Sequence, residues 1–316
     1  MRIGLFIPCY MDAFETEVGV ATLELLERLG CEVDYPFDQT CCGQPMVNTG
    51  CHHEAAACEA LFVRNFAPYE YIVCPSGSCA HQVRAHLTAV EQTPEVAHVR
   101  ERTLELTEFL HDVLKIDALP WAKFPHKVAI HYNCNSLRGI NIASPTEIRQ
   151  PPFSKPKALL SLVEGIAFAD LARPDECCGF GGTFSVFEPT VSAKMGYDKV
   201  TDQKRSGADY VVSADSSCLL HQKGCADRMG VDLKYIHIAR ILNGAARPHD
   251  DPQVITRRSR RCCAANPQCR GTAPCPWRSS PRSAAQSHSA RVLGSRFHLF
   301  LCPPLALLDG PTQETS

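Results

Sequence analysis

Hydrophobic and polar positions follow two alternating periodicities in the first part of the chain. Short apolar runs, typical of buried strands, occur at residues 2–8 and 70–74, and a further short strand is predicted near Cys31 to Asp34. Between them, apolar residues recur at helical spacing over residues 15–30 and 53–65. Strands that alternate with helices in this order form a parallel sheet flanked by helices. The pattern therefore predicts an α/β module.

The same pattern returns in the second part of the chain. Strands are predicted at residues 127–131, 166–170 and 209–213, with helices at about 155–164 and 190–205. A repeated order of elements indicates a repeated structural unit. The chain is thus predicted to contain two tandem, pseudo-symmetric cysteine-rich α/β modules with mainly parallel sheets, followed by an irregular C-terminal tail.

The repeat sets the predicted domain boundaries. The domains are a first module at residues 1–100, a helical bridge at 101–126, a second module at 127–244 and a tail at 245–316. Within the bridge, one helix is predicted from Thr103 to Leu114. A closing helix at about residues 235–243 is predicted to end the second module.

The tail differs from the rest of the chain in composition. From Arg247 onward there are ten Arg, no Lys and four acidic residues, and no periodicity is sustained. Two interpretations are open: a disordered basic tail, or out-of-frame translation past a lost stop codon. In both, residues 245–316 do not contribute to the predicted fold.

Charge and hydropathy exclude several classes of protein. The formal net charge is -2 for the whole chain, and the basic tail leaves the modules mildly acidic, which argues against nucleic-acid binding. No run of 18 apolar residues is present, so no membrane span is predicted. The N-terminal apolar run contains Pro8 and is followed by Asp12 and Glu15, unlike a signal peptide. A cytoplasmic location is therefore expected.

Eighteen cysteines are the strongest chemical feature of the sequence. In a reducing compartment they remain thiols and are available as metal ligands. Cys-Cys-Gly occurs twice, at residues 41–43 and 177–179, each time between two strand-like runs that lead to a further cysteine. The carboxyl ends of parallel strands bring distant ligands together, and glycine allows close backbone approach. Two four-thiolate sets are predicted: Cys9, Cys41, Cys42 and Cys79, and then Cys134, Cys177, Cys178 and Cys218.

Four thiolates per set indicate iron–sulfur chemistry. Such a set usually holds one cluster, so one or two 4Fe–4S clusters are predicted as the cofactor. Zinc held by the same cysteines in a structural protein is the alternative, although zinc sites usually use Cys-x-x-Cys spacing and rarely adjacent cysteines. Four further cysteines have no equivalent in the other half and are interpreted as small buried residues: Cys31, Cys51, Cys58 and Cys225.

Other candidate groups give weaker signals. His52, His53 and His131 are either metal-associated or hydrogen-bonded structural residues. Gly-Phe-Gly-Gly at residues 179–182 lacks the Lys-Ser/Thr that a phosphate-binding loop requires. Neither a Ser/His/Asp constellation nor a dinucleotide-binding or flavin motif is recognisable, so the catalytic residues stay unknown.

The doubled Cys…Cys-Cys-Gly…Cys plan resembles the cysteine-rich (CCG) domain family. This family includes the heterodisulfide reductase B subunit and the glycolate oxidase iron–sulfur subunit, and the motifs at residues 40–45, 75–79 and 176–184 are most similar to its lactate-utilisation A branch. The resemblance covers roughly residues 1–244. It implies an iron–sulfur electron-transfer subunit of a complex that oxidises L-lactate to pyruvate. It also implies a ferredoxin-type iron–sulfur B subunit and a C subunit as partners.

The sequence departs from the reductase branch at one position in each half. That branch ends each motif with Cys-x-x-Cys, whereas Ser76 and Asp215 occupy the first of these positions here. Four cysteines per half favour an ordinary 4Fe–4S cluster over thiol/disulfide chemistry, which remains the alternative enzymatic function. Cys74 is either a spare ligand or the buried end of a strand. We find no hydride-accepting site in the chain and expect that chemistry in a partner.

Overall fold

The first half of the chain forms a four-stranded parallel sheet in the computed structural model, which describes residues 1–244. The strand order is β2-β1-β3-β4, and every neighbouring pair is parallel. The first three strands were predicted from the sequence, β1 and β3 from their apolar runs. The strands are β1 (Arg2–Leu5), β2 (Glu32–Asp34), β3 (Tyr71–Cys74) and β4 (Thr103–Glu105).

The second half repeats this sheet. Its order is β6-β5-β7-β8, again entirely parallel, and the register of the central pair is the same in both halves, with Ile3 beside Tyr71 and Val128 beside Tyr210. The predicted fold class of two pseudo-symmetric α/β modules is confirmed. The strands are β5 (Lys127–Ile130), β6 (Ala167–Phe168), β7 (Tyr210–Ser213) and β8 (Lys234–His237).

Helices connect the strands in both halves. The first half contains α1 (Cys9–Phe14), α2 (Thr16–Arg28), α3 (Gln44–Asn48), α4 (His52–Phe66), α5 (Gly77–His86), α6 (Pro94–Arg102) and α7 (Leu106–Glu108). The second contains α8 (Lys155–Leu160), α9 (Phe184–Phe187), α10 (Pro189–Arg205), α11 (Ser216–Met229) and α12 (Ile238–Leu242). Two π-helical turns occur at Phe109–Val113 and Asn135–Gly139.

Two predicted helices begin as strands instead. The helix expected from Thr103 to Leu114 starts with β4, and the one expected over residues 235–243 starts with β8. Both segments have apolar residues that fit a helical period, but each strand is only three or four residues long and carries buried polar groups. Glu105 and His237 end these strands and cap the helices that follow. Strands this short are set by pairing with β3 and β7, which local periodicity does not report.

A shared hydrophobic core joins the two halves. Buried side chains from β1, α2 and the π-helical turn after α7 belong to the same cluster as side chains from β5, α8 and α12. Burial of this surface favours the two sheets as one folded unit. Its members include Leu5, Leu25, Leu26, Phe109, Leu110, Val128, Ile130, Leu159, Leu160, Ile238 and Leu242.

The predicted C-terminal tail, residues 245–316, lies outside the described residues. Within residues 1–244, no helix combines the length and the apolar composition needed to cross a membrane.

The buried carboxylate of Asp215 connects the two halves directly. Its Oδ2 accepts hydrogen bonds from the Ser76 hydroxyl at 3.0 Å, the Ser78 backbone N–H at 3.1 Å and the Asn133 amide at 2.7 Å. Its Oδ1 accepts from Ser217 at the start of α11. Asp215 therefore caps its own helix and also holds the start of α5 in the first half.

A close backbone approach accompanies this junction. A Cβ atom at Gly77 would lie 1.5 Å from the Ser136 hydroxyl, so only glycine fits where α5 meets the π-helical turn of the second half. Next to it, the buried ring of His237 bonds the Pro75 carbonyl through Nε2 at 3.0 Å, while its Nδ1 accepts from Ala239. Burial lowers the pKa of His237 to about 4, so that the ring is neutral.

We expect removal of the Asp215 carboxylate to destabilise the whole unit of residues 1–244. Asp215→Ala leaves buried donors of Ser76 and Asn133 unpaired and removes a helix cap, at a cost of about 3 kcal/mol. Ser76→Ala costs about 1 kcal/mol in the parent chain and less in the Asp215→Ala background, because the two side chains bond each other. Urea denaturation of the metal-free chain measures both values.

A matched surface control is available on the same helix. Lys223→Ala breaks only an exposed ion pair with Asp227 and should change the free energy of unfolding by less than about 0.5 kcal/mol. Equal effects of Lys223→Ala and Asp215→Ala would contradict the junction described here.

Candidate functional site

The four predicted cysteines of the first half come together at the carboxyl edge of its sheet. Cys9 begins α1 directly after β1, the adjacent pair precedes α3, and Cys79 lies in the first turn of α5 after β3. The thiols of Cys9 and Cys42 hydrogen-bond to that of Cys41, and Cys42 also contacts the thiol of Cys79. Segments separated by more than 30 residues thus converge on one set of sulfur atoms.

The second half repeats this arrangement. Cys134 precedes the π-helical turn after β5, and Cys218 lies in the first turn of α11 after β7. The Cys177 thiol contacts those of Cys134 and Cys178, and the Cys178 thiol contacts that of Cys218. We call the two groups the first and the second cysteine set.

Each adjacent cysteine pair is held by a glycine in a left-handed conformation. Gly43 has φ +89° and Gly179 has φ +88°, a region that other residues enter at a cost. At Gly179 a Cβ atom would also lie 2.5 Å from the Ser192 carbonyl oxygen of α10. The turn therefore needs glycine both for its backbone angle and for its contact with the helix.

Polar side chains hold the loops that carry the pairs in place by hydrogen bonds. In the first half, the Gln39 amide accepts from the Ile7 N–H at 2.8 Å and donates to the Leu5 carbonyl, which ties this loop to the end of β1. In the second half, the buried Lys199 ammonium donates to the Arg173 carbonyl at 2.9 Å. Asp202 accepts from the Arg173 N–H at 3.0 Å. No local sequence pattern distinguishes these three side chains, because their partners are set by tertiary packing.

Mutual hydrogen bonds divide each set into one thiolate and several thiols. Donors on Cys42 and Cys9 lower the pKa of Cys41 to about 3, while the pKa of each donor rises. Cys134 and Cys178 likewise lower the pKa of Cys177 to about 2. Burial and the nearby charge of Cys41 further raise the pKa of Cys9 and Cys42, which limits the negative charge that the metal-free first set carries. A cationic centre removes that limit and allows all four sulfurs to be deprotonated.

Two helix N-termini add favourable electrostatics. Cys79 and Cys218 occupy the third position of α5 and α11, whose N-caps are Ser76 and Asp215. The positive end of a helix dipole favours negative charge on sulfur. Since the Ser76 hydroxyl and the Asp215 carboxylate bond each other at 3.0 Å, the two cysteine sets lie on either side of one junction.

His131 is an additional donor next to the second set. One of its ring nitrogens and the sulfurs of Cys178 and Cys218 all lie within 4.8 Å of one another. The ring is buried, and neither nitrogen has a hydrogen-bond partner among the residues that the structure describes. Burial lowers the pKa of His131 to about 3, so that the imidazole is neutral. Of the interpretations left open for this residue, the structure supports association with the cysteine set.

The remaining candidates lie apart from the two sets or serve the packing. Cys74 ends β3, is buried, and its thiol donates to the Ser76 carbonyl, as expected of a structural strand end. Cys31 and Cys225 are buried in apolar clusters, while Cys58 is half-buried on α4. His52 and His53 are exposed in the first turn of α4.

The thiolate character of Cys41 and Cys177 predicts an unusual dependence of alkylation on pH. In metal-free protein both residues are thiolates from pH 5 to 8, since their pKa values lie near 3 and 2. Their reaction rates with iodoacetamide should therefore be flat over this range. The rate of an ordinary thiol rises about tenfold per pH unit there.

Peptide mapping by mass spectrometry at each pH measures these rates. Cys58 serves as the internal control, because burial raises its pKa and its rate should rise with pH. A tenfold rise per pH unit at Cys41 and Cys177 would contradict the assignment.

Comparison with known proteins agrees with this double site. The model of the CCG cysteine-rich domain matches twice, at residues 3–84 and 128–223. "Lactate utilization protein A" of Bacillus cereus (strain B4264) is 41% identical over 249 residues, which are 77% of this chain and 99% of the relative. The protein of the same name from Bacillus thuringiensis (strain Al Hakam) matches with the same identity and coverage.

The similarity of this chain to a solved structure concerns the fold alone. The crystal structure of a hypothetical protein from Helicobacter pylori matches with a TM-score of 0.50 and 9% identity. The match covers 78% of this chain and 49% of that one, so the chain spans about half the length of this structural neighbour. From the two matched segments, the doubled cysteine sets and the curated relatives, we conclude that the chain belongs to the CCG cysteine-rich domain family.

Proposed function

We propose that the chain is an electron-transfer subunit that carries one 4Fe–4S cluster on each cysteine set and acts in the oxidation of L-lactate to pyruvate. The observation that carries this proposal is the presence of two equivalent four-thiol sets, each assembled from three separate segments at the carboxyl edge of a parallel sheet. Cys42 and Cys178 are buried, but packing alone does not require two adjacent cysteines at the equivalent place in both halves.

The donor atoms fit such a cluster. Each set offers four sulfur ligands, and iron–sulfur clusters are held by cysteine thiolates. When bound, the cluster supplies reversible one-electron transfer. The chain contributes the thiolates, the dipoles of α5 and α11, and the glycine turns that let the backbone lie close to the centre.

The proposed substrate rests on the curated relatives. Their printed name refers to lactate utilization, and residues 1–244 show no flavin or nicotinamide motif that would accept a hydride. We therefore assign hydride removal to partner subunits and electron relay to this chain. The proposed partners are a ferredoxin-type iron–sulfur B subunit and a C subunit.

Exposed apolar side chains beside the first cysteine set support docking of a partner. Cys9 is exposed, and α1, which begins at Cys9, presents Phe14 to solvent. The Tyr10 ring on the same helix lies 5.5 Å from the Phe180 ring of the second half. Beyond Phe180, α9 exposes Phe187. An electron can therefore enter or leave near Cys9 through a face of the kind that proteins bury in interfaces.

Disulfide reduction is the less favoured enzymatic alternative. This function would follow from the resemblance to the reductase branch. In that branch, a fifth cysteine occupies the position of Ser76 or Asp215. Here these two side chains bond each other and cap α5 and α11. Their role is structural, so neither set has a fifth thiol at this position.

Zinc binding is a second candidate because one observation favours it. The group of His131, Cys178 and Cys218 combines one nitrogen and two sulfur donors within 4.8 Å, a ligand set that zinc accepts. Metal analysis separates zinc from an iron–sulfur centre directly.

We predict that protein purified without oxygen contains about eight iron and eight acid-labile sulfide per chain. Cys41→Ser should lose about half of both, because it removes a ligand of the first set only. Cys177→Ser should lose the other half. Iron, sulfide and zinc analysis measures these contents.

Cys58→Ser is the matched control. Cys58 is a half-buried cysteine of the same half and belongs to neither set, so its replacement should leave the iron and sulfide contents unchanged. Stoichiometric zinc without sulfide would contradict the redox proposal and favour the zinc candidate.

A further inference from the structure

The two cysteine sets differ at one buried position. His131 and Phe6 are equivalent, because each follows the first strand of its sheet and donates its backbone N–H to the matching strand, to Val212 at 2.8 Å and to Val73 at 3.0 Å. Both side chains are buried. The sheets overlay in register, so this exchange of an apolar ring for an imidazole is a true difference between the halves.

The environment of Phe6 explains why the first half does not need a polar group there. Its ring packs edge-on against Phe62 at 4.8 Å and Phe66 at 5.7 Å, within an apolar cluster that also includes Cys42 and Cys79. The first set therefore has an apolar wall where the second set has a ring with two nitrogens.

Within residues 1–244, neither ring nitrogen of His131 has a hydrogen-bond partner. Leaving a buried polar group unpaired is unfavourable, so such groups in native structures call for an explanation. The His131 ring is close to the second set, since one of its nitrogens lies within 4.8 Å of the sulfurs of both Cys178 and Cys218. The unpaired imidazole thus faces the second cysteine set.

We propose that His131 donates an N–H···S hydrogen bond to the metal centre held by the second cysteine set and gives that centre a higher reduction potential than the first. This inference rests on the proposed function. The four cysteines supply the four ligands that a cluster requires, which leaves the imidazole to bond a sulfur of the centre.

The direction of the potential difference follows from charge. Reduction adds one electron and therefore one negative charge to the centre, while the imidazole proton stays on nitrogen and no bond is broken. A hydrogen bond to sulfur stabilises the more negative state, so it raises the potential. Phe6 offers no such donor to the first centre. Electrons on the chain are thus expected to reside on the second centre in preference to the first.

Single-centre proteins provide the test. The Cys41→Ser chain keeps only the second centre, and the Cys177→Ser chain keeps only the first. His131→Phe is introduced into each of these chains and copies Phe6, the equivalent residue of the first half. Potentiometric titration followed by EPR gives the midpoint potentials. We expect a shift to lower potential in the Cys41→Ser background and no shift in the Cys177→Ser background.

Retention of iron distinguishes a hydrogen bond from a ligand. In the Cys41→Ser background, His131→Phe should keep the iron and sulfide contents, and His131→Gln, which retains an N–H donor, should recover part of the shift. Loss of the remaining iron would make His131 a ligand and overturn the proposal, as would an unchanged potential. If His131→Phe does not fold, His131→Leu makes the same comparison.

The iron and sulfide contents of the parent chain test the proposed function before His131 is changed. If the parent chain contains neither, both the proposed function and this inference are wrong. An unchanged potential in a chain that does hold its cluster overturns only the role of His131.

Discussion

The hydrogen bonds of the Asp215 carboxylate are the interaction on which the double site depends. The carboxylate is buried, caps α11, and accepts from the Ser76 hydroxyl and the Ser78 N–H at the start of α5. Because Cys79 and Cys218 lie in the first turns of these helices, one group fixes the orientation of a cysteine from each set. The positions that carry a further cysteine in the reductase branch thus serve to join the halves.

The two sets share the same electrostatic constraint. Four sulfurs are placed so close together that hydrogen bonding stabilises one thiolate in each set, at Cys41 and at Cys177, and raises the pKa of its neighbours. A cationic centre would favour the loss of protons from the remaining thiols. In the proposed function, binding of such a centre completes each site, and the glycine turns and the loop hydrogen bonds already bring the cysteines together.

Much of this arrangement was predictable from the sequence because it depends on local signals that occur twice. The apolar runs of β1, β3, β5 and β7 and the Cys-Cys-Gly turns identified the modules and both cysteine sets. The edge strands β4 and β8 were mistaken for the starts of helices, since three or four residues carry too little periodicity. The pairing of Ser76 with Asp215 spans 139 residues and leaves no local signal. The same holds for the orientation of His131, which depends on tertiary packing.

The most direct test of two neighbouring redox centres is the EPR spectrum of the chemically reduced protein. The wild-type spectrum is compared with the sum of the Cys41→Ser and Cys177→Ser spectra at equal protein concentration. Two centres on either side of one junction should interact magnetically, so the wild-type spectrum should be broader than the sum and account for both centres. A wild-type protein that contains zinc, lacks sulfide and gives no iron–sulfur signal would contradict the account.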